Sequence, residues 1–125
     1  MASFALNPHS GVPIYRQIQD QIRYAIAAGR LNPGEQLPTV RALAVDLSVN
    51  PNTVIRAYTE LEREGVVTTE QGTGTFVAPQ KTSIPESQRK AKLEALCLEF
   101  LAHAGAHGFT ARAVEQTIRQ LAQRS

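Results

Sequence analysis

The chain has no tryptophan, one cysteine and one methionine, and neither sign of charge dominates it. A lone Cys97 cannot close an internal disulfide, so the fold is expected to form without oxidation, and a cytoplasmic setting follows as the expectation. No apolar run approaches the roughly 20 residues that span a bilayer, and nothing near the amino end has the layout of a secretory leader. No membrane partner is expected. The formal net charge is only +2. Residues 1–79 hold six Arg and Lys against seven Asp and Glu, a net of −1, while residues 80–125 hold seven against four, a net of +3. Bulk attraction to a polyanion is therefore excluded for the first part. If it binds nucleic acid, it does so through a few placed arginines, through pairing of two copies, or through both.

What is present is ordinary in bulk and informative in order. Hydrophobic residues make up 42% of the chain and charged residues 19%, values typical of globular proteins. A chain of 125 residues can bury one core, or one small domain with a helical appendage whose apolar face needs a partner. Residues 1–11 read as an irregular lead-in. Pro13 then opens a helix with Ile14, Ile18, Ile22 and Ile26 spaced by four, stopped by Gly29. Asn32-Pro33-Gly34 reads as a turn, and Thr39 as the cap of a short helix carrying Val40, Leu43, Ala44 and Leu47.

The densest signal is at residues 50–58. Asn50 suits the N-cap because its side-chain oxygen can accept from free first-turn amides, and Pro51 suits N1, where no donor is needed. Val54, Ala57, Tyr58 and Leu61 form an apolar stripe with a period near 3.6, which leaves Asn52, Thr53 and Arg56 facing solvent or a ligand. Gly65 ends the helix. Two helices joined by so short a turn, the second with a polar start, have the form of a helix-turn-helix unit.

Beyond Gly65 the period changes from 3.6 to 2. Residues 66–70 and 75–78 read as strands, and Gln71-Gly72-Thr73-Gly74 between them as a hairpin tip. Residues 79–88 read as a polar linker in which Ser83 and Glu86 have capping-box spacing. Leu93, Leu96, Cys97, Phe100, Leu101 and Ala104 then mark a strongly apolar helix, expected to break over residues 105–108. Thr110 caps a last helix carrying Val114, Ile118, Leu121 and Ala122, with Phe109 and Val114 placed as a hydrophobic staple. Two such helices cannot enclose a core alone. Their apolar faces must pack on the first domain or on a second copy, and the second copy is favoured.

Catalysis finds no support. Asp20, Asp46, Glu60, Glu62 and Glu64 alternate with arginines as solvated helix charges do, and no nucleophile, base and acid share a context. His103 and His107 have the i, i+4 spacing of metal ligands, but Gly105 lies between them and Gly108 follows, so they read as loop or surface histidines. No metal and no cofactor is expected.

The order of these signals resembles the GntR family of bacterial transcription regulators. The resemblance rests on residues 29–44 (GRLNPGEQLPTVRALA), residues 49–58 (VNPNTVIRAY), Leu61-Glu62-Arg63-Glu64-Gly65 and Gly72-Thr73-Gly74-Thr75-Phe76-Val77, and covers roughly residues 13–78. It implies a mainly α fold with a small β-hairpin wing: a winged helix-turn-helix domain over residues 1–79 and a two-helix dimerisation tail over residues 80–125. The short tail and the Asn-Pro-Asn-Thr-Val sequence are similar to the YtrA subgroup, in which no room remains for a deep effector pocket. The implied partners are double-stranded DNA, as a palindromic operator, and a second copy of the chain. The implied DNA-binding residues are Arg41 above all, then Thr39, Asn50, Asn52, Thr53 and Arg56, with Gly72, Thr73 and Gly74 at the wing tip. Leu93, Leu96, Phe100, Val114, Ile118 and Leu121 would form the dimer contact. Many relatives carry DNA-contacting arginines where this chain has Pro51 and Ile55, and those two contacts are not transferred. Which side chains meet bases and which meet phosphates stays open. The rival reading is a winged-helix module that binds protein partners without reading DNA.

Overall fold

The computed structural model describes residues 4–79 and 84–123. The chain divides into two compact units, residues 1–80 and 81–124. The first contains three helices, α1 (Ile14–Ala27), α2 (Val40–Leu47) and α3 (Pro51–Arg63), and a hairpin of β1 (Val67–Glu70) and β2 (Gly74–Val77). The second contains α4 (Glu86–Ala106) and α5 (Ala111–Gln123).

Each helix of the first unit begins and ends where local chemistry requires. Pro13 stands at the N-cap of α1. At its other end Gly29 takes φ +78°, letting the Arg30 amide reach back to the Ala25 carbonyl (2.8 Å) and the Gly29 amide to that of Ile26 (3.1 Å). Thr39 caps α2 by accepting from the Ala42 amide at 3.1 Å. Ser48 closes α2 at φ +55°, the one non-glycine residue in the left-handed region among the described residues. That single turn redirects the chain, and Asn50 at once caps α3.

Ile18 and Ile22 of α1, Leu43 of α2 and Val54, Ala57 and Leu61 of α3 meet in the centre, closed by Val67 and Val77 from the hairpin. The two outer isoleucines of the α1 row, Ile14 and Ile26, are only partly buried against this core. Burial of such side chains contributes roughly 1.5–3 kcal/mol each, which makes this core the main stabilising feature of the unit. Among the described residues no buried side-chain polar atom lacks a partner.

Three features differ from the sequence-based expectation. The first strand begins one residue later than read, and the second is shifted one residue earlier at both ends, with Val67 paired to Val77 and Glu70 to Gly74. Residues 34–37 add a third lane to the hairpin. The Gly34 amide donates to the Val77 carbonyl (2.9 Å), the Val77 amide to Glu35 (2.8 Å) and the Leu37 amide to Thr75 (2.8 Å). The lead-in is irregular but tied down, since Gln17 and Gln21 of α1 grip the backbone of Asn7 and Ala5, and Phe4 and Leu6 pack on the core.

In the second unit α4 runs through Gly105 to Ala106 rather than breaking there. Only one left-handed residue is needed to stop a helix, and Gly108 (φ +83°) supplies it, with the Phe109 amide reaching the Ala104 carbonyl at 3.1 Å. Ser83 lies outside the described residues, and α4 starts after Pro85 without a side-chain cap. Thr110 caps α5 as expected, accepting from the Ala113 amide at 3.1 Å. The apolar side chains of this unit are poorly covered: Leu93 is 63% exposed, Phe100 55% and Ile118 56%. Leu96 is also exposed, and Val114 and Leu121 are half-buried. An open groove of about 540 Å³ runs between the two helices, lined by Leu96, Cys97, Phe100, Leu101, Val114 and Ile118.

Candidate nucleic-acid interface

The buried stripe of α3, formed by Val54, Ala57, Tyr58 and Leu61, fixes what the opposite side presents. At 100° per residue, Asn52, Ile55, Arg56 and Thr59 project away from that stripe, and all four are exposed. Thr53 lies on the flank and is half-buried. The start of α3 is therefore an open row combining an amide, a guanidinium, a hydroxyl and a branched alkyl group. An asparagine side chain pairs with adenine by donating to N7 and accepting from N6, so it needs both ends free. Asn52 meets that condition among the described residues. The Asn50 oxygen is occupied, since it accepts from the Asn52 amide at 2.8 Å as the cap.

Arg41 stands in the first turn of α2, exposed, and forms no hydrogen bond or ion pair among the described residues. Its placement is controlled from α3. The buried Tyr58 phenol donates to the Pro38 carbonyl at 2.7 Å, which pins the segment that delivers Thr39 and Arg41. Burial raises the pKa of this phenol well above its ordinary value, so it stays a donor throughout the physiological range.

Arg56 is exposed yet held. Its Nε lies 3.5 Å from a Glu60 oxygen, and its guanidinium sits 3.8 Å from the centroid of the Tyr15 ring on α1. Glu60 also accepts from the side chain of the buried Gln19 at 2.7 Å. That hydrogen bond, with the Arg56 guanidinium beside it, holds the Glu60 carboxyl below its ordinary value.

At the wing tip Gly72 takes φ +79° and the Thr73 amide closes the turn on the Glu70 carbonyl at 3.0 Å. Gln36, from the third lane, donates to the Thr73 carbonyl at 3.1 Å. A side chain on Gly74 would place its Cβ 2.5 Å from the Gln36 amide nitrogen, and Gly74 also stands at φ +137°. The tip's shape thus depends on both glycines and on Gln36.

The structure brings Asn50, Asn52, Thr53 and Arg56 together on one helix start, with Thr39 and Arg41 on the helix before it. Gln19, Gln36 and Tyr15 were not singled out from the sequence. A readable hint existed only in their spacing: Tyr15 and Gln19, like Arg56 and Glu60, are four apart and so share a helix face. In the second unit, the rings of His103 and His107 meet edge-on with centroids 5.3 Å apart, and Cys97 is exposed. Among the described residues no cluster of three His, Cys, Asp or Glu side chains could hold a metal, and no helix is long and apolar enough to cross a membrane.

An exposed polar helix start behind a tight turn, followed by a glycine-tipped hairpin, defines a winged helix-turn-helix protein. The model of bacterial regulatory proteins of the gntR family matches residues 14–77, and the chain belongs to that family. It is 44% identical over 84 residues to the HTH-type transcriptional repressor YtrA of Bacillus subtilis (strain 168), spanning 66% of this chain and 65% of that one. Among solved structures it is similar to YtrA from Sulfolobus acidocaldarius, a GntR-family transcription factor, with a TM-score of 0.62 and 35% identity over 81% of this chain and 99% of that one. It is also similar to the AraR DNA-binding domain in complex with operator ORX1, with a TM-score of 0.54 and 32% identity over 59% of this chain and 92% of that one. The protein is a YtrA-like, DNA-binding transcriptional regulator and not an enzyme.

Proposed function

We propose that the chain acts in the cytoplasm as a homodimeric repressor of a two-fold symmetric operator, with residues 1–79 reading DNA and residues 80–125 joining the two copies. The observation that carries this reading is the open row on α3, with Asn52 and Arg56 aligned on its exposed side and the unpaired Arg41 on the preceding helix. The start of α3 enters the major groove, where Asn52 suits adenine and an arginine suits guanine. Asn50 serves the cap, Thr53 and Thr39 offer hydroxyls to the backbone, and Gly72, Thr73 and Gly74 lay the wing tip along the minor groove or the phosphates. Ile55, 46% exposed beside Asn52, has the chemistry to meet a thymine methyl group.

Dimerisation answers two needs at once. It covers the apolar faces of α4 and α5, including Leu93, Leu96, Phe100 and Ile118, and it joins two weakly charged reading units so that both half-sites are engaged together. The named role of the Bacillus relative as a repressor supports that direction of regulation. Selection of bound duplexes from a random-sequence library tests the reading. Enrichment of a palindrome with half-sites about one helical turn apart is expected. A protein-interaction module would enrich no sequence, even at low salt.

A further inference from the structure

We propose that Tyr15, Gln19 and Glu60 are positioning residues that aim the Arg56 guanidinium at a single base pair of each half-site; the proposal rests on the reading that α3 meets DNA. Two i, i+4 pairs face each other across the α1–α3 contact, Tyr15 with Gln19 on α1 and Arg56 with Glu60 on α3. Their side chains close a circuit. The Gln19 amide donates to Glu60 Oε2 at 2.7 Å, Glu60 Oε1 lies 3.5 Å from Arg56 Nε, and the Arg56 guanidinium returns to α1 over the Tyr15 ring at 3.8 Å. Gln19 anchors the circuit, because it is only 2% exposed and also donates to the Ala57 carbonyl of α3 at 3.3 Å.

The arrangement is more than an exposed ion pair needs. An isolated i, i+4 Arg–Glu pair in water contributes little to stability, and it requires neither an aromatic ring beneath the cation nor a buried amide behind the anion. With its Nε turned to Glu60 and one face against Tyr15, Arg56 keeps its two terminal nitrogens for a ligand, and its side chain remains 59% exposed. Two parallel donors in fixed orientation match the O6 and N7 acceptors of guanine. Holding them before binding removes much of the rotamer ordering that a free arginine undergoes on contact. The same circuit offsets the Glu60 charge, which would otherwise stand unpaired on the face that meets phosphates.

The test uses the full-length protein and the duplex it enriches from a random library, with every single-base-pair variant of one half-site. Arg56→Ala is expected to relax discrimination at one base pair of the half-site. Tyr15→Leu should weaken binding to the selected duplex by about fivefold, the scale of a cation–π contact, with the loss confined to that same base pair and the salt dependence unchanged. Tyr15→Phe keeps the ring and should bind as the wild type. In the Arg56→Ala background, Tyr15→Leu should add nothing. Since Tyr15 also packs against the core, Glu60→Gln supplies a second variant, expected to relax the same base pair without lowering the melting temperature. The proposal is overturned if Tyr15→Leu and Glu60→Gln lose affinity equally on all duplexes, or lose as much without Arg56 as with it. It is also overturned if Arg56→Ala discriminates normally while Arg41→Ala weakens binding. If neither arginine variant weakens binding, the DNA reading itself fails.

Discussion

Arginine placement, not arginine number, decides what the first unit can do. Six basic side chains against seven acidic ones leave no general attraction for phosphate, so each exposed, unpaired cation counts for more. Arg41 is the sharpest instance. It stands in the first turn of α2, exposed and unpaired among the described residues, and the Tyr58–Pro38 hydrogen bond fixes its approach. Replacement by alanine should weaken operator binding by roughly 1–3 kcal/mol while leaving the melting temperature near its wild-type value. Titration across the single-base-pair variants separates two outcomes. Loss concentrated at one position assigns the side chain to a base, and uniform loss with a shallower salt slope assigns it to phosphate. Unchanged binding by a folded variant removes Arg41 from the site.

At the scale of elements, the caps and turns set the geometry, and they were the most legible part of the fold. Thr39, Asn50 and Thr110 each cap the helix that their position in the sequence predicted, because a cap is a local event between a side chain and an amide two or three residues on. Pairings between distant segments left no such mark. Residues 34–37 join the hairpin through bonds to residues some 40 positions away, and Gln19 looks in sequence like any polar residue of a surface helix, yet it is buried against α3. Long-range contact chooses its partners by topology, which one-dimensional periodicity does not encode. The candidate site divides the same way: Asn52 and Arg56 are readable as side chains left outside the apolar stripe and Arg41 through the family resemblance, whereas the Tyr15, Gln19 and Gln36 contacts that hold candidate-site atoms are not. Gly105 shows the opposite error, since a glycine inside α4 was read as a break although Gly108 alone ends the helix. Tyr58→Phe tests the element-level account. Loss of the hydroxyl leaves the Pro38 carbonyl without its donor and should cost about 1 kcal/mol of stability by chemical denaturation. Operator affinity should fall with it, because the lead into α2 is no longer pinned. A stability and affinity equal to wild type would show that α2 is positioned by packing alone.

For the whole molecule, the proposed function divides the work, with recognition in the first unit and assembly in the second. In the proposed dimer, a reading unit with net charge −1 over residues 1–79 would gain affinity from engaging two half-sites at once, and a tail with exposed leucines, phenylalanine and isoleucine would gain cover from a second copy. A two-fold symmetric dimer is the proposed arrangement that would meet both needs. Phe100 is the most informative single position for this claim, because it lines the groove between α4 and α5 and is still 55% exposed in the single chain. A buried, unpaired carboxylate there is strongly unfavourable, whereas on a monomer's surface it is tolerated. The deciding measurement is therefore the mass in solution of wild type and Phe100→Asp, by light scattering, alongside their titration onto the selected palindrome. The expected result is a wild-type dimer that binds one duplex tightly, and a folded Phe100→Asp monomer that binds each half-site separately and weakly. A Phe100→Asp protein that stays dimeric, or that binds the palindrome as tightly as wild type while monomeric, would contradict it.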